Sequence, residues 1–258
     1  MNPGSNTRVD TETEKHAGAR TSTIVVSPHP DDAVLSCWGV LCEPDVRRVV
    51  TVFAGLPEPG TPLSAWDRLT RAADPRQRAA ERHEEDRRAL ARADCVVMHL
   101  PFVGAVHRRE PLDRRVLETT LKAAVGDAGT VYGPAAVGGH PDHVATRDAV
   151  LAVSAGRRVL LYADQPYAVR FGWPSWVTAR PPRLDLDVDG WFGAQLEAMP
   201  WTLSSARVSR LSRHAAAAKG EAVREYRSQF AALAASAGLG FPDGPEWEYE
   251  VFWAASAV

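Results

Sequence analysis

The sequence predicts an α/β fold: a Rossmann-like, three-layer sandwich in which helices cover both faces of a mostly parallel sheet. Short runs of β-branched residues alternate along the chain with segments of helical periodicity. The chain has 258 residues and 45% hydrophobic content, which is enough to bury one full core. Two similar polar motifs each follow a predicted strand, and this is where a parallel sheet presents its ligand-binding loops.

The predicted elements follow one another in a regular order. Strands are expected at the apolar runs 23–27, 48–54, 95–100, 130–132 and 158–162. Helices are expected between them at 32–41, 75–93, 113–125 and 141–155. This repeated strand–helix–strand order is typical of parallel pairing through right-handed crossovers.

The last hundred residues alternate less cleanly. Residues 174–193 are rich in loop-forming residues, with a hairpin strand expected at 183–188, and residues 207–235 carry a strong helical pattern. No internal repeat or linker divides the chain. We therefore expect a single domain over residues 21–258, preceded by a polar, disordered tail at 1–20 that lacks the apolar segment of a signal peptide.

Composition argues against several functional classes. Thirty Lys and Arg residues against 32 Asp and Glu give a net charge of −2, and no basic stretch is interleaved with aromatic residues, so nucleic acid is not expected as a partner. No apolar run approaches the ~20 residues of a membrane span. The three cysteines (Cys37, Cys42 and Cys95) form no paired framework, as is typical of a reducing compartment. The sequence thus predicts a soluble, cytoplasmic protein and gives no indication of its oligomeric state.

The tripeptide His-Pro-Asp occurs twice and is the most informative feature of the chain. The first copy lies in SPHPDD (residues 27–32), directly after the first predicted strand. The second lies in GGHPDH (residues 138–143), directly before the helix predicted at 141–155. Because both copies follow strands of a parallel sheet, we expect them to meet at one edge of that sheet.

The spacing within the two motifs predicts a divalent metal site. A catalytic zinc takes three protein ligands and leaves one position open, and His29, Asp32 and His143 supply such a set. Asp31 then remains as a general base beside the metal. His140 remains as a hydrogen-bond donor to the developing oxyanion.

Asp142 is predicted to support His140 from outside the ligand set. Two points stay open from these residues alone: the identity of the ion, and whether the aspartates of the first motif serve a metal site or a helix cap. The ligand set suits zinc but would also accept ferrous iron. In the competing interpretation, Asp31 or Asp32 does no more than cap the helix that follows the first strand.

The two motifs resemble those of the LmbE-like, or PIG-L, de-N-acetylases, a family that removes acetyl groups from N-acetylglucosaminyl conjugates. Residues 82–85 (RHEE) also match the family's R-x-x-E, and residues 219–229 resemble its late K…Y-x-S-Q helix. The resemblance covers about residues 23–252. It implies a zinc-dependent hydrolysis that yields acetate and a free amine, with the same ligands, base and oxyanion donor as above.

Three further residues are candidate substrate contacts. Arg82 matches a family position that contacts substrate, although a salt bridge with a neighbouring glutamate would explain it equally well. Trp66 ends a long loop at 56–67 and would either stack on a sugar ring or pack the loop down. Asp164 follows the fifth strand, where an acceptor for sugar hydroxyls would lie, although the role of a turn residue is slightly favoured.

The sequence therefore predicts a metal-dependent hydrolase that deacetylates a small soluble substrate, an amino-sugar conjugate of secondary metabolism or thiol biosynthesis. The alternative within the family is an amidase that cleaves a larger acyl or cysteinyl conjugate. A non-catalytic metal-binding or scaffold protein is disfavoured because all five key residues are present. An oxidoreductase is disfavoured because no G-x-G-x-x-G follows the first strand.

Overall fold

A computed structural model describes residues 22–181, 185–197, 201–238 and 240–256. Its strands are β1 Thr23–Ser27, β2 Val46–Thr51, β3 Val96–His99, β4 Thr130–Pro134, β5 Arg158–Tyr162, β6 Thr202–Leu203, β7 Arg207–Arg210 and β8 Tyr249–Ser256. Within the described residues these eight strands form one sheet in the order β3-β2-β1-β4-β5-β8-β6, with β7 also paired to β8. The tail predicted at 1–20 lies outside the described residues.

The helices surround this sheet. They are α1 Asp32–Leu41, α2 Ala65–Leu69, α3 Pro75–Ala91, α4 Arg114–Val125, α5 Pro141–Val153, α6 Ser175–Thr178, α7 Val188–Glu197, α8 Arg213–Val223 and α9 Arg227–Ala237. Helix α3 contacts α1, α8 and α9, and α1 also contacts α8, whereas α4 packs against α5. The sheet is thus flanked by helices, and the predicted α/β fold is confirmed. None of the helices in the described ranges is both long and apolar enough to traverse a bilayer.

The five strands predicted from the sequence pair in parallel. β1 lies between β2 and β4, and every residue of β1 is buried. Its three central residues are apolar, as is typical of a strand covered on both faces. β3 pairs with β2, and β5 pairs with β4. The carboxyl ends of β1 and β4 therefore open at the same edge of the sheet, as the positions of the two motifs require.

The C-terminal third departs from the prediction. Residues 207–235 are not one helical stretch: they begin with strand β7 and continue as two helices, α8 and α9. α8 starts where the Ser212 hydroxyl accepts a hydrogen bond from the backbone N–H of Ala215. Arg207–Arg210 instead pairs antiparallel with β8, an eight-residue strand that was not predicted from the sequence.

The hairpin strand predicted at 183–188 is also wrong where it can be compared. Residues 183 and 184 lie outside the described residues, 185–187 are not in a strand, and Val188 begins α7. The antiparallel edge of the sheet is supplied by β8, which joins β5 to β6. These strands lie on the side of β5 away from β1, so they extend the sheet without changing the edge that carries the motifs.

Candidate active site

The first motif forms a strained turn between β1 and α1. The hydroxyl of Ser27 donates to the carbonyl oxygen of His29 (2.7 Å) and accepts from the backbone N–H of Ala33 (3.0 Å). Asp31 has φ of 116°, a conformation that residues with a side chain rarely adopt and that is typical of functional sites. Its side chain makes no capping hydrogen bond to α1, so the interpretation of Asp31 as a mere helix cap is wrong.

The second motif forms the start of α5. His140 caps this helix, because its Nδ1 accepts a hydrogen bond from the backbone N–H of Asp142 (3.2 Å), and Pro141 occupies the first turn. A neutral imidazole that accepts at Nδ1 carries its hydrogen at Nε2. The helix cap thus makes His140 a hydrogen-bond donor through Nε2.

The two motifs meet over the carboxyl ends of β1 and β4. Oδ2 of Asp32 lies 3.1 Å from Nδ1 of His29 and 3.2 Å from Nε2 of His143. Ring nitrogens of His29, His140 and His143 also lie within 4.8 Å of one another. Residues more than 100 positions apart therefore form one cluster of nitrogen and oxygen donors.

Buried carboxylates orient two of the three rings. Oδ2 of Asp142 lies 3.1 Å from Nε2 of His29, and Oδ1 of Asp164 lies 2.6 Å from Nδ1 of His143. A carboxylate that accepts the hydrogen of one ring nitrogen leaves the lone pair on the other. In the neutral form of each ring, Nδ1 of His29 and Nε2 of His143 therefore carry the lone pairs, and both lie beside Asp32.

The donor set fits a divalent metal ion. Nε2 of His143 is buried and forms no hydrogen bond with the described residues, although it is 3.2 Å from Asp32. A buried nitrogen without a hydrogen bond costs free energy that a bound cation would offset. Two nitrogens and a carboxylate oxygen are ligands that zinc takes in catalytic sites. Either Asp32 or His140 lies close enough to be the third ligand.

Asp31 lies beside the cluster under the control of Arg82. Nη2 of Arg82 donates to the carbonyl oxygen of Pro30 (2.9 Å) and to Oδ2 of Asp31 (3.3 Å). Burial raises the pKa of Asp31 to about 7, against the opposing effect of the guanidinium. Arg82 thus pairs with Asp31, the candidate base, and not with a neighbouring glutamate as the alternative interpretation held.

The surroundings of His140 also keep its ring neutral. Burial and the nearby rings of His29 and His143 lower the pKa of His140 to about 4. The ring is therefore neutral at neutral pH, as the helix cap also requires. For Asp32, burial would raise the pKa, but His143 and His29 outweigh that effect and hold it well below its ordinary value.

Both motifs lie in a region that matches a known protein family. A family model described as PIG-L, GlcNAc-PI de-N-acetylase, matches residues 24–154, which is just over half of the chain and includes both motifs. The chain belongs to the PIG-L family. The resemblance inferred from the two motifs is thus confirmed over the part of the fold that carries the donor cluster.

One relative of known activity is similar over part of the chain. A 2'-N-acetylparomamine deacetylase of Streptomyces fradiae is 35% identical over 171 residues, which is 58% of this chain and 58% of that protein. The matched region therefore spans less than two thirds of that relative.

Solved structures are similar over almost the whole chain. The deacetylase of the teicoplanin biosynthesis pathway, solved as a bog complex, is 26% identical, with a TM-score of 0.72 over 92% of this chain and 99% of that chain. The zinc-inhibited form of teicoplanin deacetylase Orf2 is 25% identical, with a TM-score of 0.71 over 92% and 99% of the two chains. The PIG-L fold described above is thus shared with these deacetylases.

A cavity of about 770 Å³ opens over the donor cluster of this PIG-L chain. At its base lie side chains of both motifs, among them Asp31, Asp32 and His140. Its walls come from the loops after β1, β2 and β3, from α3 and from the end of α9. A volume of this size suits a ligand larger than a single small ring, since pockets for such ligands span about 300–1,000 Å³.

Trp66 lines this cavity and is also anchored. Its Nε1 donates a hydrogen bond to Oε1 of Gln229, at the start of α9. Ser228 bonds in turn to Glu85 on α3 through its backbone N–H and its hydroxyl, both at 2.7 Å. The R-x-x-E and Y-x-S-Q segments of the PIG-L pattern are therefore joined to each other. Trp66 packs its loop against α9, and its stacking on a sugar ring stays a prediction.

Two of the sequence predictions are corrected by these contacts. Asp164 is fully buried and bonds to His143 and to the backbone N–H of Val137 (3.0 Å), so it is not a contact for sugar hydroxyls. The side chain of Asp142 supports His29, not His140, which receives only the backbone N–H of Asp142. Both carboxylates instead orient candidate metal ligands.

Two side chains of the site, those of Arg108 and Tyr167, were not predicted from the sequence. Nη1 of Arg108 donates to Oδ1 of Asp142 (3.0 Å), while the backbone N–H of Ala105 donates to Oδ2 (2.8 Å). Tyr167, three residues after Asp164, lies against His140 and His143. The only available signal was position, since both segments follow parallel strands and reach the same sheet edge.

Proposed function

We propose that this chain is a metal-dependent hydrolase that removes an N-acetyl group from an amino-sugar conjugate. The single observation that carries this proposal is the pair of oriented rings, His29 and His143, which direct lone pairs towards Asp32 beneath a cavity that contains Asp31. The deacetylase activity of similar proteins supports the reaction type. Paromamine and teicoplanin deacetylases also favour a conjugate of antibiotic biosynthesis over a thiol precursor.

We assign the metal to His29, Asp32 and His143, with zinc as the proposed ion and ferrous iron as the alternative. Asp32 is favoured over His140 as third ligand because its Oδ2 lies about equally far from Nδ1 of His29 and Nε2 of His143. His140 is also occupied at Nδ1 and carries a hydrogen at Nε2, so it has no lone pair for the ion. A divalent ion held there would supply Lewis acidity to a water molecule and to the acetyl carbonyl.

The side chains divide the remaining chemistry. Asp31, oriented by Arg82, takes a proton from the attacking water while the water oxygen forms a bond to the acetyl carbon. His140 donates its Nε2 hydrogen to the carbonyl oxygen as negative charge develops there. When the carbon–nitrogen bond breaks, Asp31 returns the proton to the leaving amine, and acetate and a free amine result.

The cavity indicates the size of the substrate. At about 770 Å³ it has room for an N-acetylated sugar together with an attached group. Phe53, Trp66 and Val106 give it apolar surface, while Arg78 and Arg170 supply cationic groups. A conjugate with both an apolar and a polar part matches these walls. The same volume keeps a larger acyl group as the second candidate.

Acetate release is the direct test of the proposed function. The chain is depleted with a chelator and returned to zinc or ferrous iron, then incubated with N-acetylglucosamine, aryl N-acetylglucosaminides, an N-acetylated aminoglycoside and their N-butyryl and N-octanoyl analogues. We expect no product from the depleted chain and recovery with about one ion per chain. Release of the longer acyl groups alone would favour the second candidate, and no product with any ion would refute a hydrolase of this kind.

A smaller effect is expected at Trp66. The Trp66→Ala substitution removes an aromatic wall and should raise KM about tenfold, equivalent to about 1.4 kcal/mol of binding, with little change in kcat. The measurement is the steady-state kinetics of an aryl N-acetylglucosaminide. Gln229→Ala is the matched control, because it removes the anchor of the indole and keeps the ring. Equal KM values for the two variants would mean that Trp66 acts only by holding α2 against α9.

A further inference from the structure

We propose that Tyr167 is an additional catalytic residue, whose hydroxyl donates a hydrogen bond to the acyl oxygen of the substrate. This inference rests on the proposed function, since it concerns the same hydrolytic site. It adds a second neutral donor beside His140, contributed by a separate segment of the chain.

Tyr167 is positioned by the turn that also orients His143. The turn follows β5 and begins with Asp164, whose side chain bonds to His143 and whose carbonyl oxygen accepts the backbone N–H of Ala168 (2.7 Å). A 3₁₀ turn then covers Tyr167–Val169. The carboxylate behind His143 and the phenol beside it therefore belong to one short segment of the chain.

The aromatic ring of Tyr167 lies directly against the donor cluster. Its centroid is 5.3 Å from that of His143, with the two planes at 83°. Its centroid is 6.2 Å from that of His140, with the planes at 41°. The side chain also lines the cavity that contains Asp31 and Asp32. A substrate amide placed over the cluster would thus meet this residue.

The hydroxyl of Tyr167 is available to a ligand. Two other tyrosines of the core have their hydroxyls bonded within the protein, Tyr162 to the carbonyl oxygen of Val26 (2.9 Å) and Tyr226 to Asp86 (2.8 Å). The Tyr167 hydroxyl forms no hydrogen bond with any described residue, although its ring is packed on the site. A phenol at neutral pH retains its hydrogen and is a donor. A packed ring with a free donor in a reaction cavity is suited to stabilise developing negative charge.

Gly138 provides the space that this ring occupies. Gly138 has φ of +91°, and a Cβ added there would lie 2.8 Å from Cβ of Tyr167. Gly139, the next residue, has φ of +70°, but an added Cβ would meet nothing within 4 Å. A substitution at either glycine would therefore strain the backbone, but only a substitution at Gly138 would also push against Tyr167.

The first test is Tyr167→Phe, which removes one oxygen and keeps the ring. Loss of a donor to the oxyanion should lower kcat on the order of 10²-fold, with KM and bound metal close to the wild-type values. Tyr249→Phe, at the start of β8 against Arg210, is the matched control and should retain full activity. A wild-type kcat in Tyr167→Phe, or a loss confined to KM, would overturn the inference.

Two further measurements separate this role from others. A donor to the acyl oxygen gives the same fold-loss for leaving amines of different basicity, whereas a loss that grows with amine basicity would mean that Tyr167 protonates the amine instead. Gly138→Ala should lower kcat in wild type but much less in the Tyr167→Phe background, while Gly139→Ala measures the cost of backbone strain alone. Equal losses from both glycine variants would count against the positioning argument. If the wild-type protein hydrolyses none of the substrates, the proposed function itself fails. If the wild type is active and Tyr167→Phe is equally active, only the inference about Tyr167 fails.

Discussion

Replacing Asp31 by asparagine is expected to stop acetate release while the metal remains bound. The substitution keeps the size of the side chain but removes the group that accepts a proton from water. Asp31 is not in the assigned ligand set, and the rings of His29 and His143 are held by Asp142 and Asp164, which are unchanged. Loss of a general base lowers rates by about 10²–10⁴-fold, so kcat should fall on the order of 10³-fold or more.

Two measurements decide this prediction, the rate of acetate release and the metal content of the purified variant. Asp148→Asn is the matched control, since Asp148 pairs with Arg147 on α5 and takes no part in the cavity. An Asp31→Asn protein that lost its metal would place Asp31 among the ligands instead. Full activity in this variant would transfer the role of base to another group and refute the proposed mechanism.

Loss of the Arg82 side chain should lower kcat less than the Asp31→Asn substitution does. Its guanidinium bonds to Oδ2 of Asp31 and to the carbonyl oxygen of Pro30, so it fixes the strained turn as well as the carboxylate. The turn carries its strain at Asp31 itself, where φ is 116°. Strain of this kind persists only where surrounding contacts hold it. The R-x-x-E segment thus links the base to α3, and through Glu85 to α9.

Elements that depend on local pattern could be predicted from the sequence. The bounds of β1, α1 and β5 agree with those expected, because each is a short apolar or amphipathic run with clear limits. The edge at which the two motifs meet also followed from the sequence, since parallel strands place their carboxyl ends together. The antiparallel strands β7 and β8 could not be predicted in the same way, because their stability comes from pairing across about 40 residues.

Orientation within the site was not accessible to sequence reasoning. Asp142 is two residues from His140 and 113 from His29, so a local pair is the natural expectation, yet its carboxylate contacts the distant ring. On the first turn of α5, the backbone N–H of Asp142 donates to His140. The short side chain of Asp142 points away from that ring, and its carboxylate reaches His29 instead. Likewise, the contact of Trp66 with Gln229 joins residues 163 positions apart, which no spacing rule connects.

Removing His143 is expected to abolish both metal binding and activity. His143 is completely buried, its Nδ1 bonds to Asp164, and its Nε2 has no hydrogen bond among the described residues. His143→Ala takes away one of three proposed ligands, and the remaining His29 and Asp32 do not complete a catalytic set. The loss of affinity should exceed the roughly 10–100-fold that removal of a supporting contact causes.

Thermal unfolding distinguishes metal loss from loss of the fold. A ligand that binds only the folded state stabilises it by about 2.7 kcal/mol at a concentration of 100 times Kd, so zinc should raise the Tm of depleted wild type but not that of His143→Ala. His214→Ala, an exposed histidine of α8, is the matched control and should respond as wild type does. Asp164→Asn should lie between them, because His143 remains but loses the carboxylate that orients it. A zinc-dependent Tm rise in His143→Ala as large as in wild type would locate the ion elsewhere and withdraw the ligand assignment.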